Sequence, residues 1–117
     1  MTIQAPETNG ATSIDKAIST ARQFAPLLKA IADEHRLAIL LLLAQKPMSV
    51  VEMTKLLGIS QTLVSHHLKG LRDAGLVAAR PIGRSNVYSM CCEAVAEPVR
   101  YLAGVATAAQ RAREPEE

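Results

Sequence analysis

From Ser13 to Ile31 the apolar positions Ile14, Ala17, Ile18, Ala21, Phe24, Ala25 and Leu28 fall at helical steps. That spacing places them along one side of a helix. Pro26 interrupts the run, so the helix is expected to kink there or to split at Ala25. A second helix is predicted from about Glu34 to Ala44, with Asp33 as its N-cap. Its stretch "LAILLLLA" is apolar nearly all round and predicts a place in the centre of the core. After the break "QKPM", the segment "SVVE" opens a third helix, with Ser49 and Glu52 at the spacing of a capping box. Val50, Met53, Leu56 and Leu57 supply its inner face, and Gly58 ends it. Only "GIS" separates it from a fourth helix, which Ser60 caps and which runs from Gln61 to about Ala74 before Gly75. Two short helices joined by so tight a turn make a helix-turn-helix.

The stretch "LVAARPIGRSNVYSM" then changes period. Leu76, Val77, Val87 and Tyr88 suit strands around the turn "IGRSN", which predicts a β-hairpin. Pro81 lacks an N–H and predicts an edge strand. A last helix lies within about Cys92 to Arg113; Pro98 either kinks it or stands at its first turn, with a start near Glu97. Residues 1–12 and 112–117 read as a disordered tail and a polar tail, leaving one domain over 13–111. The expected fold is mainly α with one small β-hairpin.

Composition narrows the picture. The chain is 49% hydrophobic but 3% aromatic, so its core must be aliphatic. At 117 residues it buries a modest fraction of its surface, and a second subunit would help. The net charge of +2 decides little, but its distribution does. Between Ser60 and Met90 stand Lys69, Arg72, Arg80 and Arg84 against Asp73 alone. A concentrated basic segment is the footprint expected of a nucleic-acid contact. The polar start has no apolar signal core, and the longest apolar run, residues 37–44, is well short of a membrane span. A cytoplasmic protein with no membrane partner is expected. No paired carboxylates in one motif, glycine-rich phosphate loop or nucleophile–base pattern suggests an enzyme.

His66 and His67 stand side by side in the fourth helix, but neighbours on a helix differ by about 100°. The inner face reads Leu63, Val64, His67, Leu68, Leu71; the outer face reads Gln61, Thr62, Ser65, His66, Lys69, Arg72. His67 is therefore expected to be a buried, hydrogen-bonded histidine rather than half of a metal pair. The outer face carries groups that read DNA: an amide that can pair with adenine, and hydroxyls and a cation for base edges or phosphates. Arg84 at the hairpin tip is placed for phosphate or a minor groove. The plainer reading of such a face is a solvated surface; the tight turn and basic hairpin favour DNA.

The strings "LLKAIADEHRLAILLLL" and "SVVEMTKLLGISQTLVSHHLKGLRDAGLVAARPIGRSNVYSM" resemble the ArsR/SmtB family of bacterial winged-helix repressors over about residues 27–90. Ser60, Ser65, His67, Leu68, Leu71, Ala74, Gly75, Leu76 and Val77 match its helix-turn-helix pattern, and Arg80, Gly83, Arg84 and Tyr88 match its wing. The resemblance implies a winged helix-turn-helix homodimer joined through the first and last helices. It also implies a repressor that reads a palindromic operator with the fourth helix and releases it on a signal. Ser60, Gln61, Thr62, Ser65, His66, Lys69, Arg72, Arg80 and Arg84 are the expected DNA-binding residues.

The chain departs from two sensor patterns of that family. Its third helix has no cysteine, and its last helix has neither His nor Asp. His35 reads as a solvated residue at a helix start. The remaining candidate is Cys91–Cys92, just after the hairpin. Thiolates suit soft ions such as As(III) or Cu(I), and a thiol can also answer an oxidant. The plainer alternative is two small residues at a strand–helix joint. A rival from another class is a winged helix that keeps the fold as a protein-interaction module and binds no specific DNA.

Overall fold

Local hydrogen bonds set the helix ends in the computed structural model, which describes residues 10–115. The elements are α1 (Gly10–Ile31), α2 (Glu34–Leu43), β1 (Met48–Ser49), α3 (Val50–Leu57), α4 (Gln61–Asp73), β2 (Val77–Ile82), β3 (Ser85–Met90) and α5 (Cys92–Arg113). Asp33 accepts from the Arg36 N–H and starts α2. Ser49 and Glu52 form the full reciprocal capping box of α3. Ser60 accepts from the Leu63 N–H to start α4. A serine cap of this kind contributes about 1 kcal/mol. Gly58 ends α3 in the left-handed region at φ +69°. At the end of α4, Leu76 N–H donates to the Leu71 carbonyl and Gly75 N–H to that of Arg72. These are the paired bonds of a Schellman motif, and Gly75 supplies its positive φ of 77°.

Several boundaries differ from expectation. Both long helices run unbroken through their prolines, Pro26 in α1 and Pro98 in α5. Pro98 is buried well inside α5, so that helix does not start near Glu97. Residues 10–12 and 112–113, expected in tails, belong to α1 and α5. Residues 1–9 of the expected N-terminal tail lie outside the described residues.

The sheet has three strands in the order β1-β3-β2. The hairpin β2–β3 was expected; β1 was not. Met48 and Ser49 pair antiparallel with Tyr88 and Val87. β2 is an edge, as Pro81 requires. Ile82 pairs with Ser85, leaving Gly83 and Arg84 as the turn. Gly83 takes φ +61° and, among the described residues, no non-glycine residue, Arg84 included, has a positive φ, the pattern a II′ turn requires.

The core is aliphatic: Ile39, Leu40 and Leu43 of α2, Met53 of α3, Val64, Leu68 and Leu71 of α4, and Leu76 and Val77 beyond it. Two expectations about it fail. Leu37 and Leu41 are 46% and 60% exposed, so α2 buries one side only. Leu56 is 61% exposed. With Met53 at the centre of the inner face of α3, Val50 and Leu57 fall to one side of it and Leu56 to the other, about 60° round. The core lies on the Val50–Leu57 side, where both are half-buried.

The radius of gyration is 19.3 Å. A compact domain of this length would show roughly 13 Å. The excess comes from α1 and α5, which pack on each other through Phe24 and Tyr101, ring centroids 5.4 Å apart. Ile14, Ile18, Val99, Leu102 and Val105 of these helices stay exposed.

Candidate functional site

The capped turn between α3 and α4 aims the outer face of α4 away from the core. Gln61, Thr62, Ser65, His66, Lys69 and Arg72 are all exposed, while Val64, His67, Leu68 and Leu71 are buried and Leu63 is half-buried. The two faces therefore divide as the sequence predicts. Ser60 is exposed too, but its hydroxyl is engaged in capping.

Folding brings parts of this set together with the hairpin. Gln61, at the start of α4, and Arg84, at the hairpin tip, line one shallow hollow with Ser49, Val50, Val51, Ser85 and Asn86. Ser65, Lys69 and Arg72 line a second, beside Asp73 and Tyr88 of β3. Arg80 is exposed on β2 opposite Val87 and lines neither. Lys69 is paired with Asp73 at 2.9 Å, four residues on. An exposed pair of this kind is worth a fraction of a kcal/mol, so a phosphate can replace it. Among the described residues Arg72, Arg80 and Arg84 form no ion pair. The outer face of α4 presents a capped helix start, hydroxyls, an amide and the unpaired Arg72, with the unpaired Arg84 of the hairpin tip beside Gln61.

Cys91 and Cys92 are free thiols, the first half-buried and the second exposed. Cys91 is the N-cap residue of α5 but makes no side-chain cap bond, and Cys92 Sγ lies 3.8 Å from the Met90 carbonyl oxygen. β3 separates them from the hairpin tip by roughly 20 Å of strand. No His, Asp or Glu group among the described residues joins them in a three-ligand cluster.

A second polar cluster was not foreseen. His67 is buried, as expected, but its partners come from the start of α2. Arg36 Nε donates to His67 Nδ1 at 3.3 Å, and the Asp33 carboxylate lies 3.8 Å from the same nitrogen. Burial pushes the His67 imidazole below its ordinary pKa, against the pull of Asp33 and with the push of Arg36. The Arg36 N–H holds the Asp33 carboxyl below its usual range. His35 completes the group, its ring 5.3 Å from that of His67. It is half-buried there and not the solvated residue it was expected to be. Gly70 is the signal in the sequence that points here. A glycine inside a helix costs about 1 kcal/mol relative to alanine and marks a close approach. A Cβ at Gly70 would stand 2.5 Å from the Arg36 guanidinium.

Residues 33–79 match the model of the bacterial regulatory proteins of the arsR family. The chain is 36% identical to the HTH-type transcriptional regulator YgaV of Escherichia coli over 72% of its own length and 86% of that protein. The chain belongs to the arsR family. It is also 43% identical to the HTH-type transcriptional regulator NmtR of Mycobacterium tuberculosis, over 60% of its own length and 58% of that protein. Among solved structures it is similar to the homodimeric winged helix-turn-helix DNA-binding domain of Mb0332 from Mycobacterium bovis. There the TM-score is 0.64 and the identity 31%, covering 88% of this chain and 95% of the other. In ArsR-family terms, α3 and α4 are the helix-turn-helix and β2–β3 is the wing. The family is one of transcriptional regulators. No helix among the described residues is long and apolar enough to cross a membrane.

Proposed function

We propose that this ArsR-family chain is a homodimeric transcriptional repressor that binds a palindromic operator. α4 enters the major groove, and the wing lies on the adjoining backbone. The observation that carries this reading is the shared hollow of Gln61 and Arg84, which sets a base-reading amide beside a phosphate-seeking cation. Thr62, Ser65, His66 and Lys69 extend the reading face, while Arg72 and Arg80 hold phosphates on either side. The uncovered apolar surfaces of α1 and α5 support pairing of two copies through those helices. A two-fold protein then matches half-sites one helical turn apart.

Fluorescence anisotropy against duplexes from the protein's own promoter tests this. Arg84→Ala is expected to weaken binding to every sequence and to lower the salt slope by about 1 for each phosphate that a protomer no longer neutralises. Gln61→Ala is expected to relax preference at one base pair per half-site, by about 1–3 kcal/mol. Unchanged binding in both variants would remove α4 and the wing from the interface and favour a protein-interaction module.

The release signal acts at Cys91 and Cys92. Their position where β3 turns into α5 supports this, because a ligand there bears on the pairing helix. As(III), Cu(I) or peroxide is expected to weaken operator binding at least tenfold in the reduced protein and to have no effect on the Cys91→Ser, Cys92→Ser double variant. Equal responses in both proteins would make the thiols structural.

A further inference from the structure

We propose that Asp33, His35 and His67 bind a borderline divalent transition-metal ion of the Zn(II), Co(II) or Ni(II) class, tying the start of α2 to α4. One ligand atom from each residue lies within 4.8 Å of the other two. Tetrahedral ligands about 2.1 Å from an ion stand about 3.4 Å apart. Closing that gap falls to the side chains of Asp33 and His35, the less buried members of the set.

The donor set selects the ion class. Two imidazole nitrogens and one carboxylate oxygen suit Zn(II) and its neighbours, with a fourth position left for water. Three donors, only one of them oxygen, are too few and too nitrogen-rich for Ca(II) or Mg(II). The set lacks sulfur, so it differs in preference from the thiol pair at the head of α5.

His67 is prepared for this role. Its side chain is nine-tenths buried, so little rotamer freedom remains to be lost. Nδ1 accepts a hydrogen bond from Arg36, so it carries a lone pair and no proton, and the Asp33 carboxylate lies 3.8 Å from it. A cation is already drawn to this spot, and it is the guanidinium. The ion therefore exchanges with Arg36. On leaving Nδ1, Arg36 also gives up its 3.4 Å bond to the Ala30 carbonyl at the end of α1 and its seat against Gly70 of α4. Ion binding repacks the junction of α1, α2 and α4, directly behind the outer face of α4. The effect on DNA rests on the function proposed above; the ion site itself does not.

Cobalt tests the site. Co(II) is titrated into the full chain carrying Cys91→Ser and Cys92→Ser, following visible d–d absorption and competition with a chromophoric chelator. One ion per protomer is expected, with affinity lowered at least tenfold by His35→Ala and by Asp33→Asn. Arg36→Ala removes the competitor and is expected to tighten binding several-fold, a gain that a merely structural arginine would not produce. Absence of uptake, or uptake equal in His35→Ala and Asp33→Asn to that of the parent protein, overturns the site. Unchanged affinity in Arg36→Ala overturns the exchange. Anisotropy with Zn(II) reads the coupling: a shift in DNA affinity in the double-serine protein that His35→Ala abolishes supports it, and no shift overturns it. Cobalt uptake without DNA binding under any condition would instead overturn the proposed function and leave the ion site standing.

Discussion

Leu68→Ala is expected to destabilise the fold by about 2–5 kcal/mol, the range for truncating a fully buried leucine. Leu68 has no exposed surface and lies on the inner face of α4, in one cluster with Ile39, Met53, Leu71 and Leu76. The loss combines the transfer energy of the deleted carbons with the cavity left behind. It falls on a domain whose whole stability lies in the range of about 5–15 kcal/mol. At about 4–8 °C per kcal/mol, the midpoint of thermal unfolding should drop by at least about 8 °C. Circular dichroism at one fixed protein concentration reads it, since pairing of two chains makes the midpoint concentration-dependent. Leu41→Ala is the control: its 60% exposure predicts a change within about 0.5 kcal/mol. Equal losses at Leu41 and Leu68 would mean that α2 is covered on its outer side as well.

Leu102→Glu should separate the paired chains. Leu102 is 51% exposed and lines the apolar groove between α1 and α5 beside Phe24 and Tyr101. In a lone chain the carboxylate would reach water and the fold would survive. Between two copies it would be desolvated twice over by symmetry, at several kcal/mol. Each 1.4 kcal/mol is tenfold in affinity, so dimer dissociation should rise at least a hundredfold. Sedimentation at micromolar concentration should then show monomer where the unaltered protein shows dimer, with unchanged helical circular dichroism. Operator affinity should fall with it, because one half-site alone holds one set of contacts. A variant that stays dimeric would move the pairing surface off α5.

What was legible in the sequence was local. Asp33, Ser49 with Glu52, and Ser60 each act within three residues, so their caps could be read directly and all four side chains make the expected bonds. The split of α4 into a buried and an exposed face followed from its period. The failures are long-range. β1 is a pair of residues with no period of its own, made a strand by Tyr88 and Val87 some forty positions on. Leu37, Leu41 and Leu56 are apolar by type, and only the packing of the neighbouring helices decides which way they face. His35 looked solvated because His67, 32 positions later, was invisible from it; the clue was Gly70, a helical glycine with no local reason.

One backbone bond gives the molecule a fulcrum. The N–H of Cys91, at the head of α5, donates to the carbonyl of Leu76, just past the end of α4, at 2.9 Å. α5 and the end of α4 are thus pinned at one point, and the hairpin extends from it as an arm of roughly 20 Å. A tilt of about ten degrees about that pivot carries the arm's tip through about 3.5 Å, close to the roughly 3.4 Å rise of one base pair. In the operator complex proposed above, a change at the helix pair far too small to loosen the fold would be enough to put the two arms out of step with the double helix.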